Sequence, residues 1–477
     1  MSTNTHDEFY WITEINKATI VVETKNGLIP ETLAKDAARG IAAVEKAAAE
    51  PGAKRPTSYI AWEPLLIAAA GQSVTAIHAG RSSQDILSTM RVGIQKERAL
   101  AFAKAFDAVL ERMIALADAH RNTIVPNYTN GVAAQPTSWA HYLLGFLAPL
   151  LRERERLEEW FERFDLCSMG STVLNGTSWP LDRNAMAHAL GFKRPVRNAF
   201  DATCEIPVDA SLEFSQIAAA VALHFGSFLS DVMVQYAQPR PWILLVEGGE
   251  NTYVSSAMPQ KRNPGLINNC RGDCSDVVAE MNATVTRVHN LVPGMVDGKN
   301  VAKNGRTAAA AVQMCERFLK VLNALRVNPE RALEELNSDW TASQEIADRL
   351  MRDHGLPFRI GHHMASRMVS YARANGILPL NFPYTEMQRI YREEISEEFP
   401  GASTELPMSE AEFHEALDPR RIVEARRTLG SCAPAEVDAM IHEDREALLA
   451  LASAAARRCD AMQAAFAALD TQFAQYL

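Results

Sequence analysis

From Ser83 to His120 the chain carries no proline and a single glycine, Gly93. Along this run Phe102, Phe106, Val109, Leu110, Met113, Ile114 and Ala117 recur at three- and four-residue steps, the spacing of one helical face. At 1.5 Å per residue such a helix runs on the order of 50 Å, a length that suits a bundle strut rather than a compact globule. Four more long helical patterns follow. They cover Thr137 to Phe164 with a bend at Pro149, Asp209 (read as a side-chain N-cap) to Ala237, Pro264 to His289, and Asn300 to Leu325. Strand-type alternation is scarce. The predicted fold class is therefore all-α, an elongated bundle of five long helices.

The flanks read differently. Residues 1–82 are shorter helical pieces broken by PGAKRPTS and GQS, and residues 83–352 hold the long helices. Residues 353–477 alternate loops such as GILPLNFPY with helix and end in a helical run from Pro434. The predicted organisation is a small N-terminal helical domain, a central long-helix domain and a small C-terminal helical domain. Composition changes this picture little: of 477 residues, 47% are hydrophobic and 22% charged, ordinary for a globular enzyme or binding protein. The net charge of −10 argues against nucleic acid or an anionic membrane as partner, but not against a small carboxylate substrate met in a local basic pocket. The start of the chain lacks a basic-then-apolar leader, and the runs WAHYLLGFLAPLL and IAAAVALHFGSFL read as core helices shorter than a membrane span. Seven cysteines without a CxxC pair read as reduced, mostly buried thiols of a cytoplasmic protein. Cys270 and Cys274 share a helical face, yet two thiols alone make a poor metal site.

Chemistry concentrates in polar cassettes at helix ends. SSAMPQKRNPG, starting at Ser255, follows a glycine pair, Gly248 and Gly249, that frees the loop to move. Asn263 before Pro264 reads as a helix cap followed by a first-turn proline, which places Lys261 and Asn263 at the positive end of a helix, where anions are favoured. HAGRSSQD, His78 to Asp85, gathers Arg81, Ser82, Ser83 and Gln84 where the longest helix begins; simple capping by either serine is the competing reading. TNGVAAQP offers Thr129, Asn130 and Gln135 in a polar turn. MGSTVLNGTSWPLDR is a small-residue loop in which Asp182 and Arg183 read as an ion pair.

SSAMPQKRNP resembles the signature loop of the fumarase/aspartase superfamily, roughly G-S-S-x-M-P-x-K-x-N-P. IHAGRSSQD, TNGVAAQP, GTSWPLDR, GLPFRIGHH and DPRRIVEARRTLGSCAPAEV resemble, in order, segments of its argininosuccinate lyase-like branch, so the likeness covers almost the whole chain. The resemblance implies a three-domain fold and a homotetramer with a twenty-helix core, in which each active site takes signature regions from three subunits. It also implies reversible β-elimination from a succinyl-type substrate, usually releasing fumarate, with no metal or organic cofactor. On this likeness Ser255 is the base, and Lys261 with Asn263 stabilises the aci-carboxylate dianion. Ser82, Ser83, Gln84, Thr129, Asn130, Gln135, Ser256, Met258, Asn268 and Lys299 are substrate-side residues. These residue types suit the chemistry, because charge that develops on a carboxylate calls for preorganised cations and N–H donors, and a serine base needs nearby positive charge.

Four departures shape the expected substrate. A histidine and a glutamate that pair in many members are here Asn130 and Asn268, a change in both partners that suggests a neutral Asn–Asn pair. An arginine able to clamp a carboxylate is Ser83. A tyrosine position aligns with Lys299, read either as a substitute anion partner or as a solvated surface lysine. The leading glycine of the signature is Val254. With no histidine at position 130, Tyr59 and His78 are the nearest candidate acids, and an amine that leaves already protonated needs none. The expectation is a C–N lyase acting on an N-substituted aspartate or amino-polycarboxylate. A C–O or C–C variant and a non-catalytic, crystallin-like structural protein are the alternatives, and the retained Ser255, Lys261 and Asn263 weigh against the last.

Overall fold

The computed structural model describes residues 5–477. Helix α1 (Glu8–Lys25) starts on Asp7, whose carboxylate accepts from Tyr10 N, and is buried almost throughout. Helix α2 (Ser83–Ala119) is the long strut, and 37 residues at 1.5 Å each give it a length of roughly 55 Å. A two-stranded hairpin follows, β1 (Ile124–Thr129) paired antiparallel to β2 (Val132–Ser138). It leads into α3 (Trp139–Phe164), with Pro149 inside the helix. Next come α4 (Ile206–Tyr236), a short hairpin of β3 (Tyr253–Val254) and β4 (Arg262–Asn263), then α5 (Gly265–Val288) and α6 (Val301–Ala324). The last helix, α7 (Pro434–Phe473), runs 40 residues back along α2, α3 and α1.

The five predicted struts are α2 to α6, and the fold is the expected all-α bundle. Aromatic stacking joins them: Phe225 of α4 lies 3.8 Å, centroid to centroid, from Phe318 of α6, and Phe102 of α2 meets Phe214 of α4 edge-on at 5.6 Å. Gly93 is where Trp11 of α1 crosses α2; a Cβ there would sit 2.4 Å from the indole.

Several local expectations need correction. Helix α4 begins at Ile206, not Asp209, because Pro207 suits the first turn, where its missing N–H costs nothing; Asp209 lies inside that turn. Asn263 is not a helix cap. It sits in β4, and its side-chain amide donates to Tyr253 O at 3.3 Å, while α5 starts at Gly265 with no side-chain cap. Thr137 belongs to β2, and Ser138 caps α3 by accepting from His141 N at 3.1 Å. Asp182 and Arg183 do not pair. Asp182 caps the helix Arg183–Ala189, while Arg183 Nε donates to Met169 O at 2.9 Å.

Among the described residues, two large apolar cores stand beside a small cluster of Ile124, Leu336, Val423 and Cys432. One runs through α1 to α6 and takes in Val437, Leu448, Phe466 and Phe473 of α7. The other joins residues between Trp340 and Leu417, and position 352 falls inside the helix Ser343–His354 that serves it. By length and composition alone, α4 could cross a membrane, with mean hydropathy 1.7 in its most apolar window; half of that window is buried in the bundle.

Candidate active site

The SSAMPQKRNPG segment forms the tip of the β3–β4 hairpin. Val254 pairs with Arg262 and Tyr253 with Asn263, so position 254 is extended strand, where a β-branched residue serves better than glycine. Seven residues, 255 to 261, close the loop. Ser255 N donates to Lys261 O at 3.3 Å, and Lys261 N donates to Met258 O at 3.0 Å. Ser255 Oγ accepts from Ala257 N at 3.4 Å and Met258 N at 3.3 Å. Two backbone dipoles thus aim their positive ends at that oxygen, a small anion-favouring nest. Lys261, Ser256 and Met258 are exposed on the same loop. Arg262 ties the hairpin to the preceding loop through Glu247 at 3.0 Å. Gly248 and Gly249 take φ of 95° and 57° there, which glycine adopts at little cost.

The HAGRSSQD segment is organised by two residues outside the predicted site set. Arg81 is buried, donating to Thr19 Oγ1 at 2.7 Å, Asn16 Oδ1 at 3.0 Å and Tyr59 Oη at 3.0 Å. Asp85, fully buried, accepts backbone N–H from Ser82, Ile86, Gly170 and Thr172, at 2.8 to 3.1 Å. Burial lifts its carboxyl to about 6 although those N–H groups pull the other way. Ser82 is the N-cap of α2, its Oγ accepting from Gln84 N, so the capping reading holds for that residue. Ser83 and Gln84 are half-buried beside it. Tyr59 and His78 lie together, Oη to Nδ1 at 3.3 Å with rings stacked at 5.5 Å. Burial first, and the Arg81 charge second, hold His78 below its usual pKa.

The TNGVAAQP segment is the β1–β2 hairpin rather than a plain turn. Asn130 and Gly131 are its two central residues, with φ of 53° and 75° between the paired Thr129 and Val132. An Asn-Gly dipeptide between alternating residues is the sequence signal for it. Thr129 and Asn130 are exposed, and Gln135 donates to Gln344 Oε1 at 2.6 Å. Asn268 is exposed in the first turn of α5 and makes no side-chain bond to Asn130 within the chain. Lys299 is neither solvated nor on a surface. It is buried, donates to Thr203 O at 2.7 Å, and burial lowers its pKa.

These residues fall at two ends of the bundle. Tyr59, His78, Ser82, Ser83, Gln84 and Lys299 gather where α2 begins. Thr129, Asn130 and Gln135 follow its far end, roughly 55 Å away. The β3–β4 hairpin is on that far side too: Trp242, shortly before it, donates Nε1–H to Tyr128 Oη of β1 at 3.0 Å, and Tyr128 reaches Gln235 at the end of α4. One chain therefore brings the β3–β4 and β1–β2 hairpins to one end and leaves HAGRSSQD at the other. Elsewhere, His363, Glu394 and Glu398 offer ligand atoms within 4.8 Å of one another, but Arg367 Nε lies 2.7 Å from Glu394 and already neutralises it.

A five-strut helical bundle bearing these three loops at its ends is the architecture of the fumarase/aspartase superfamily. A family model described as lyase matches residues 38–279, and the chain belongs to that family. Within it the chain is argininosuccinate lyase-like, a carbon–nitrogen lyase: a model of the argininosuccinate lyase C-terminal region matches residues 340–424. The chain is 28% identical over 435 residues to the argininosuccinate lyase of Pelotomaculum thermopropionicum, covering 89% of each chain. It is 30% identical over 333 residues to that of Alteromonas mediterranea, covering 69% of this chain and 71% of the relative. Among solved structures, EDDS lyase in complex with formate superposes with a TM-score of 0.88 at 23% identity, over 98% of this chain and 92% of that one. The 3-carboxy-cis,cis-muconate lactonizing enzyme of Pseudomonas putida superposes at 0.67 and 16%, over 93% and 96%.

Proposed function

We propose that the protein cleaves the C–N bond of an N-substituted aspartate or related amino-polycarboxylate, reversibly, giving fumarate and an amine. The observation that carries the reading is the Ser255 hydroxyl, aimed at by the Ala257 and Met258 amides in a loop that also holds Lys261. Ser255 Oγ, as alkoxide, takes the proton from the carbon beside a carboxylate. The electron pair left behind spreads onto that carboxylate, giving a dianion that Lys261 and the Asn263 amide stabilise. The pair then forms the C=C bond as the C–N bond breaks, with its electrons going to nitrogen. His78, held below its ordinary pKa, is neutral at pH 7 and a poor donor. An amine that departs carrying its own proton removes the need for one. Ser82, Ser83, Gln84, Thr129, Asn130, Gln135, Ser256, Met258 and Asn268 are assigned to substrate binding, Asn130 and Asn268 as neutral partners; Lys299 supports the α2 end from within.

The site is completed by other copies of the chain in a cytoplasmic homotetramer. The separation of the two cassette ends along α2 supports this. So does the unburied stripe Ala220, Leu223, Ser227 and Ser230 on α4, small or apolar at helical spacing, with Leu223 64% exposed. The direct test is addition: incubate the protein with fumarate and a panel of amines, and follow the loss of fumarate absorbance. Consumption with at least one amine, abolished in Ser255→Ala, is the expected result. No consumption with any amine rejects the reading.

A further inference from the structure

A basic pocket lies where α2 begins, walled by loops 170–181 and 197–200, with a volume of about 610 Å³. Arg183 and Arg197 line it, with Asn175, Asn198, Trp179 and Phe200, and no carboxylate faces it. Among the described residues neither arginine forms an ion pair. Arg183 Nε is held by Met169 O, while its Nη2 is buried without a partner. A buried guanidinium N–H without an acceptor is costly, and an anion satisfies it. The Asn198 side-chain oxygen is engaged by the N–H groups of Phe200 and Asp201, at 2.8 and 3.1 Å, which leaves its amide donors for a ligand. Trp179 and Phe200 stand 48% and 40% exposed at the pocket, flat surfaces for an apolar or planar group.

The wall is held in an unfavourable backbone conformation. Thr172 takes φ of 54°, rare for a β-branched residue; its N–H is tied to Asp85 at 3.1 Å and its hydroxyl to Gly176 O at 2.8 Å. Gly170 has φ of 78°, and a Cβ there would meet Arg183 Cγ at 2.8 Å, so glycine lets the arginine lie across the loop. The same Asp85 holds Ser82 N, and Gly80 packs on Trp179 and Leu181. Pocket and HAGRSSQD turn are thus one interlocked unit.

We propose that this pocket takes the amine half of the substrate, recognising an oxyanion on it through Arg183 and Arg197 and a flat apolar group through Trp179 and Phe200. The proposal rests on the lyase reading for the ligand's source, but not for the ligand's chemistry. A suitable probe is 2-aminobenzoate, an amine with a ring and a carboxylate, with aniline as its uncharged counterpart. By calorimetry the full-length protein should bind 2-aminobenzoate at least tenfold tighter than aniline. Arg197→Gln and Trp179→Ala should each weaken the probe tenfold or more without moving the melting temperature. With amines that wild type adds to fumarate, Arg197→Gln should raise KM for anionic amines tenfold, leaving kcat and the KM of fumarate unchanged. If both variants bind the probe as wild type does, or wild type does not bind it at millimolar concentration, the pocket assignment is overturned. If binding depends on Arg197 but the KM of anionic amines does not, the pocket serves a separate oxyanion and the amine-half assignment falls. If no amine adds to fumarate while Arg197-dependent binding persists, the lyase reading fails and the ligand chemistry stands.

Discussion

Single side chains set the chemistry, and two of them give sharp expectations. Ser255 contributes little to packing, since its hydroxyl only accepts from two loop amides on a half-exposed hairpin. Ser255→Ala should therefore lower kcat by about 10²- to 10⁴-fold, the range for removing a positioned base, with an unchanged melting temperature. Turnover kinetics beside calorimetry separate the two effects. Glu23 is the opposite case, a structural carboxylate in the wrong place. It is 3% exposed, its Oε2 lacks a partner, and burial lifts it from 4.5 to about 7. Its folded form holds a proton more tightly than its unfolded form, so stability declines as pH rises from about 4.5 through about 7 and then levels off. Glu23→Gln removes that loss. The variant should match wild type near pH 4.5 and exceed it by up to about 3 kcal/mol at pH 8, read as melting temperature across pH.

Elements are joined by a few buried polar ties. Arg154 of α3 is fully buried, donates to Asp107 of α2 at 2.6 Å, and reaches Leu451 O of α7 at 3.0 Å. One guanidinium so links three long helices. Arg154→Leu leaves the Asp107 carboxyl buried without its cation, and should cost about 3–5 kcal/mol. Arg154→Leu with Asp107→Leu should recover most of that, because no uncompensated charge remains; calorimetry on both variants checks it. The struts themselves were legible in the sequence, because a one-face stripe such as Phe102 to Ala117 is dictated by helix geometry and survives any environment. Cap identity was less legible. Asn263–Pro264 reads as a helix start by local preference, but strand pairing with Tyr253 claims Asn263 first. The β1–β2 hairpin has a legible signal in its Asn-Gly turn, overshadowed by the functional reading of the same residues. Lys299 was not legible at all. Its burial depends on Thr203, 96 residues earlier, and no local pattern reports such a contact.

At the scale of the whole molecule the placement of the cassettes is the decisive fact. A strut of roughly 55 Å keeps Ser82 to Gln84 away from the β3–β4 hairpin, so under the proposed assignment a complete site takes the far end of a second chain laid beside the first, antiparallel. Neighbouring copies related by two-fold axes meet this requirement, since such an axis turns one copy's far end onto the other's near end. Light scattering should then report an assembly larger than a monomer, and dilution should abolish turnover without unfolding the chain. A stronger test uses two inactive variants. Ser255→Ala removes the proposed base from the far end, and Gln84→Ala removes a proposed substrate contact from the near end. If a site takes these residues from different copies, refolding the two variants together restores some sites in which both are intact. Random mixing of equal amounts predicts roughly a quarter of wild-type activity. If instead each chain holds a complete site of its own, every site in the mixture keeps one defect and the activity stays at the level of the parents.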